Sequence, residues 1–341
     1  MEFLADYGLF LAKSLTWVVA IVVVVATVLS MARAAREHGG RKLQVRDLGE
    51  ELRDLGDAIR EQVLPPQELK QLGKQRKAEA KALHKAKPGA DGTGKPRVYV
   101  LDFEGDLQAH AVAGLRHEIS AVLQVARQQD EVLLRLESAG GLVHAYGLAA
   151  SQLVRVRDAG LRLTVAIDKV AASGGYLMAC VADRILAAPF AVVGSIGVVA
   201  QLPNFNRLLK KNEIDLELHT AGEYKRTLTL FGENTEAGRA KFREDLEDTH
   251  ALFKDFVQAH RPALDLTRVG TGEHWFGTRA KELQLVDTLR TSDDYLLSRA
   301  AEAEVIEVKY RVRKSLPERL GVGLAALATA FGRKALTPQA P

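Results

Sequence analysis

A chain of 341 residues with one cysteine cannot cross-link itself. Cys180 lies in the apolar run Tyr-Leu-Met-Ala-Cys-Val, where a small buried hydrophobe is expected, and no intrachain disulfide is available as a staple. Paired cysteines, an H-E-x-x-H sequence and tight His/Asp clusters are all missing, so zinc-type metal chemistry lacks its ligands. Neither a G-x-G-x-x-G fingerprint nor a Walker loop occurs, which removes the usual phosphate cradles. The G-x-S-x-G elbow is absent too, because Ala171 stands where its first glycine would be. The nine histidines are scattered. His117, His250 and His260 fall on helical stretches among charged neighbours, as surface or packing residues do.

The net charge of +4 invites a nucleic-acid reading that its distribution contradicts. Arg33 to Lys95 holds fifteen Lys/Arg and ten Asp/Glu, leaving 32 basic and 33 acidic residues elsewhere. The surplus belongs to one segment, and no nucleic-acid partner is expected.

That segment follows a charge-free run of 19 residues, Ser14 to Ala32. As a helix it would be about 28 Å long, enough to cross a hydrocarbon core, and an anchor over residues 9–32 is expected. A cleaved signal peptide is the rival, since Ala32-Arg33-Ala34 has the small-x-small form; Glu2 and Asp6 before the run, and its length, argue against it. Arg33, Arg36, Arg41, Lys42 and Arg46 follow the run and only Lys13 immediately precedes it, which places the following segment in the cytoplasm. A substrate left in the bilayer would suit the opposite face, and the side stays open.

Residues 33–96 read as a charged helical juxtamembrane segment and linker. Leu48, Leu52, Leu55 and Ile59 recur at helical spacing, Pro65-Pro66 interrupts, and KPGADGTGKP at 87–96 closes the segment flexibly. Beyond it the period changes. Short runs at 97–103, 131–138 and 161–167 alternate with helical patterns at 110–128 and 143–158, which predicts an α/β fold with a parallel sheet and crossover helices. Farther on, a helix-like PNFNRLLKKN, a strand-like IDLELHT at 214–220 and a long amphipathic helix from about Thr235 to His260 are expected.

Functional groups in such sheets gather where strands end in loops. Ser138-Ala139-Gly140-Gly141 follows the second strand, and Ala171-Ala172-Ser173-Gly174-Gly175 follows the third. A serine between small residues at a helix start suits a nucleophile, and equally a plain helix cap. Gly140 and Gly141 can turn N–H groups outward to hold an oxyanion, or form a tight turn. With no histidine in evidence, a lysine is the remaining base. A lysine acts so only when its amine is neutral, which burial favours by lowering its ordinary value of about 10.4. Lys225, in Gly-Glu-Tyr-Lys-Arg-Thr before Leu228, Leu230 and Phe231, is the candidate, although in isolation it reads as a surface residue.

Taken together, SAGG at 138–141, AASGGYLMAC at 171–180, GSIGV at 194–198, GEYKRTLTLFGEN at 222–234 and GEHWFGTRAKELQLVD at 272–287 resemble a family. It is the signal peptide peptidase A (protease IV) serine peptidases, most closely the SohB-type inner-membrane branch. The order and spacing carry the resemblance, above all the 52 residues from Ser173 to Lys225.

The resemblance implies a ClpP/crotonase-like fold over 97–312 and a Ser-Lys dyad, with Ser173 as nucleophile and Lys225 as general base. Ser195 matches a polar residue that orients the lysine, and otherwise reads as a turn residue beside Gly194. Gly140 or Gly141 with Gly174 would form the oxyanion hole, and Trp275 and Phe276 would pack. No cofactor is implied. Peptides are the implied substrates, membrane-associated or small and unfolded, signal peptides among them. The resemblance also implies a homo-oligomer in which serine and lysine come from neighbouring subunits. A crotonase-type acyl-CoA enzyme, lacking here a carboxylate beside the glycines, and a non-catalytic membrane scaffold are the alternatives. The tail at 313–341, containing LGVGLAALATAFGRKAL, is amphipathic and too short to span a bilayer.

Overall fold

The computed structural model describes residues 43–71, 73–74 and 94–311, together with Thr16. The expected anchor, Thr16 apart, and the tail from 313 onward lie outside the described residues. Among those described, no helix is long and apolar enough to cross a membrane. Val45–Tyr310 forms a compact unit that contains nearly everything described.

Its centre is a sheet of ten strands, almost all parallel. β1 (Leu43–Asp47), β2 (Arg97–Gly105), β3 (Glu131–Ser138), β4 (Arg162–Ile167), β6 (Arg184–Ala187), β9 (Thr288–Leu289) and β10 (Glu304–Tyr310) run in the order β1-β10-β2-β3-β4-β6-β9. The central strands are covered on both faces, so they read as continuous apolar runs: Val98 to Leu101 and Val132 to Leu134 are all buried. Crossovers α2 (Val112–Leu123) and α3 (Val143–Asp158) bury Leu115, Ile119, Ala149 and Leu153 against the sheet.

The sheet forks at β3. Glu131–Arg135 pair with β4, whereas Ser138 pairs with Ala171 of a separate short strand, β5 (Val170–Ala172). β5 pairs in turn with β7 (Val192–Gly194), and β7 meets β8 (His274–Phe276) in an antiparallel pair. This second branch carries the candidate loops.

Other elements complete the unit. α1 (Leu48–Val63) begins on Asp47, whose carboxylate accepts the Glu50 N–H at 2.8 Å. Leu48 is buried and Leu52 packs against the core, but Leu55 and Ile59 on the same stripe are each 67% exposed. Only the first turns of the predicted amphipathic helix are therefore docked. α4 (Gly174–Ala179) and α5 (Asn206–Lys211) are single short helices, and α6 (Glu236–His260) is long, with Val257 as its buried residue. α7 (Leu266–Val269), α8 (Gly277–Glu282) and α9 (Ser292–Glu302) follow.

The alternation at 214–220 does not make a strand. Ile214, Leu216 and Leu218 lie 48 to 53% exposed in irregular chain with no strand beside it among the described residues. Alternation marks a segment with one apolar face; it does not supply the surface that face must cover.

Candidate active site

Three strand ends converge where the second branch leaves the sheet. Ala171 pairs with Ser138 on one side and with Val193 on the other, and Ala172 pairs with Gly194. One residue past that last pair on each strand stands a serine, Ser173 and Ser195. Parallel neighbours lie about 4.8 Å apart, so the register sets the two serines side by side.

Both have left-handed backbones, Ser173 at φ 52° and Ser195 at φ 53°. For a non-glycine residue this costs on the order of 1–3 kcal/mol and persists only where neighbours enforce it. The enforcing contacts are explicit. The Ser173 N–H donates to the Gly194 carbonyl at 2.8 Å, the Ser173 carbonyl accepts from Leu177, and the Ser195 N–H donates to the Glu273 carbonyl at 2.6 Å. Ser173 is half-buried and its side chain makes no capping bond to α4.

The Gly140 loop abuts this turn. A Cβ built on Gly140, itself at φ +92°, would lie 2.7 Å from Ser173 Cβ and 2.8 Å from the Gly174 nitrogen. A side chain on Gly141 would run into the Leu107 carbonyl, which already accepts the Leu142 N–H at 2.9 Å. These two glycines are needed for close approach. The Gly140 N–H is engaged, donating to Ser138 Oγ at 3.0 Å. The Gly141 N–H has no acceptor among the described residues. Gly174, first in α4, has an N–H of the kind a helix start leaves without an intrahelical partner.

Lys225 stands apart. It is exposed, and among the described residues no hydrogen bond or ion pair joins its amine to Ser173, Ser195 or any other group. Its stretch is fastened at the base: Asn204 Nδ2 donates to the Thr229 and Gly232 carbonyls, Asn206 Nδ2 to the Phe231 carbonyl, and the Phe205 N–H to the Leu230 carbonyl at 2.7 Å. Within one chain the structure thus brings together Ser173, Ser195, Gly140, Gly141 and Gly174, and leaves Lys225 in solvent.

Tyr146, which no sequence motif marked, adds to the surroundings of the site. Ser138 and Tyr146 are buried behind the glycine loop and share a hydrogen bond of 2.5 Å. Burial pushes the Tyr146 phenol up, with the Ser138 bond opposing, so it stays protonated. Only the aromatic at the fourth position of α3 could have hinted at it. His250 of α6 bonds the Ile196 carbonyl at 3.1 Å, fixing the turn after Ser195. The Trp275 ring lies against Gly194, and Phe276 meets Phe190 edge-on at 5.9 Å. Cys180 is fully buried, and burial pushes its thiol up, out of the reactive range. Two cavities lie elsewhere, one of about 440 Å³ lined by His260, Leu264 and Asp287, and one of about 420 Å³ lined by Gln128, Asp130, Arg157 and Arg299 at the amino ends of β3 and β4.

Comparison with known proteins fixes the family. Residues 2–153 match the N-terminal model of peptidase family S49, and residues 155–306 match the model of peptidase family S49 itself. A probable protease SohB of Haemophilus influenzae is 51% identical over 330 residues, covering 94% of this chain and 92% of that protein. The chain belongs to peptidase family S49. Within it the chain is SohB-type, for a probable protease SohB of Buchnera aphidicola is also 61% identical over 225 residues, 66% of this chain and 67% of that protein. Among solved structures, a serine-to-alanine variant of the membrane-bound stomatin-specific protease 1510-N is similar over 65% of this chain and all of that one, with 12% identity and a TM-score of 0.42. This S49 chain is a serine-type peptidase with a mixed α/β, mostly parallel core.

Proposed function

We propose that this S49 peptidase is a membrane-anchored endopeptidase of ClpP/crotonase-like fold that uses a Ser-Lys dyad, Ser173 with Lys225. The observation that carries the reading is Ser173 itself: a half-buried serine held at positive φ where three strand ends meet, beside N–H groups without acceptors. Neutral Lys225 Nζ takes the hydroxyl proton as Ser173 Oγ bonds to the peptide carbonyl carbon. The carbonyl oxygen becomes an oxyanion, which the Gly141 and Gly174 N–H groups receive. Gly140, whose N–H is engaged with Ser138, contributes its shape and not its donor. The lysine proton passes to the departing amine as the C–N bond breaks, and Lys225 then deprotonates the water that releases the acyl group. Ser195 accepts a hydrogen bond from Lys225 and orients it.

An exposed lysine cannot do this, and a second copy of the chain would complete the site. Ile214, Leu216, Leu218, Phe205 and Phe231 are large apolar side chains left exposed on the stretch that carries Lys225, with the two phenylalanine rings 5.9 Å apart. Covering these side chains in a homo-oligomer would desolvate the amine and deliver it to a neighbour's Ser173. The substrates are membrane-associated or small unfolded peptides, signal peptides included. The Ser14–Ala32 run would hold the enzyme at a bacterial-type inner membrane.

The test is complementation. Ser173→Ala and Lys225→Ala proteins should each lose peptidase activity by about a thousandfold or more, and subunits of the two, mixed and reassembled, should regain part of it. A Ser173→Ala protein that hydrolyses peptides at the wild-type rate would falsify the assignment.

A further inference from the structure

Behind the Gly140 loop runs a chain of buried hydrogen bonds with a fixed direction. The Gly140 N–H donates to Ser138 Oγ at 3.0 Å, Ser138 Oγ and Tyr146 Oη are 2.5 Å apart, and Tyr146 Oη donates to the Asp106 carbonyl at 2.8 Å. A backbone N–H can only donate and a carbonyl can only accept, so both hydroxyl hydrogens are assigned by the ends. Ser138 gives its hydrogen to Tyr146, and Tyr146 gives its own to Asp106. Ser138 is 2% exposed and Tyr146 0%, so water does not stand in for either partner.

The same tyrosine touches the other side of the site. A Cβ on Gly174 would collide with the Tyr146 ring, and a Cβ on Gly105 would lie 2.5 Å from Ser138 Oγ and 2.8 Å from Ser138 Cβ. Ring and hydroxyl thus reach two separate strands' ends: the ring backs Gly174, and the hydroxyl holds Gly140 through Ser138.

We infer that Ser138 and Tyr146 are positioning residues that set the oxyanion hole, drawing the Gly140 N–H inward so that the next amide, Gly141, is presented beside that of Gly174. The inference rests on the Ser173 reading above and adds to it the device that aims the two donors. The Tyr146 hydroxyl is the joint of this device, because its loss leaves the buried Ser138 hydrogen without its acceptor, while the Asp106 carbonyl keeps the Ala109 N–H at 3.0 Å.

Tyr146→Phe preserves the ring and removes that joint; Ser138→Ala removes the acceptor of Gly140. Each should lower kcat about 10- to 100-fold with KM changed less than twofold, in line with misplacing an oxyanion donor. The double variant should be hardly worse than either single, since both break one chain. Affinity for a peptide aldehyde, whose hemiacetal with Ser173 carries the oxyanion, should weaken by the same factor as kcat/KM, while binding of the uncleaved peptide to the variants in a Ser173→Ala background stays unchanged. A role in packing alone would move none of these selectively. Wild-type kcat in Tyr146→Phe, or multiplicative loss in the double variant, overturns the inference while Ser173→Ala remains inactive. Activity in Ser173→Ala itself overturns the underlying reading, and this one with it.

Discussion

Gly140 carries two constraints at one position, a backbone at φ +92° and a Cα pressed against Ser173 and Gly174. Gly140→Ala meets both, strain of about 1–3 kcal/mol and a Cβ 2.9 Å from the Ala172 carbonyl, where nothing flexible can yield. Peptidase assays should show a loss of about a hundredfold or more, with thermal unfolding lowered only by several degrees; unaltered activity would mean that the loop relaxes without consequence. At this scale the sequence was informative about identity and silent about state. SAGG and AASGG announced close approach, and the structure places their glycines where a side chain does not fit. Which N–H is engaged was invisible, because that depends on Tyr146 five residues after Gly141 and on Asp106, which lies 32 residues before Ser138.

Glu118 of α2 shows how an element records its packing. It is 5% exposed, Oε1 accepts the Tyr310 N–H of β10 at 2.7 Å, and Oε2 has no partner. Burial pushes its carboxyl up to about 7 from an ordinary 4.5; the Tyr310 N–H opposes, Asp102 and Glu307 raise it further, and Lys309 opposes. The folded protein therefore holds a proton that the unfolded chain releases. The stabilisation is complete below about pH 4.5 and is lost as pH rises through about 7. Glu118→Gln keeps the acceptor and removes the titration. Calorimetry should find it more stable than wild type at pH 8 by about 1–3 kcal/mol, with the difference gone near pH 4; equal melting at both would refute the assignment. Elements such as β3 and α3 were legible because β3 is a continuous apolar run and α3 keeps a helical period, each buried at one sheet. The strand predicted at 214–220 was misread because its period was genuine while no strand lies beside it among the described residues.

For the whole molecule the exposed segment is the informative part. Leu216→Asp should leave the melting of the Val45–Tyr310 unit within about 2 °C, as exposed substitutions do, while light scattering shows a smaller particle and peptidase activity falls in step. Full-size, fully active particles would dissociate Lys225 from assembly. The sequence contained Ser173, Lys225 and their spacing, but the buried environment that the proposed lysine base needs would come from an assembly, and no pattern along one chain displays it.

The fork at β3 has a dynamic consequence. A single strand, paired along its length with β2, anchors both the loop bearing Gly140 and the strand that leads into Ser173. The spacing between them cannot breathe unless β3 itself detaches. Amide hydrogen exchange at Ala171, Ala172 and Ser173 should accordingly be as slow as at Leu133 and Leu134, following global opening and not local fraying. In this enzyme the reacting centre would belong to the slowest-exchanging part of the protein.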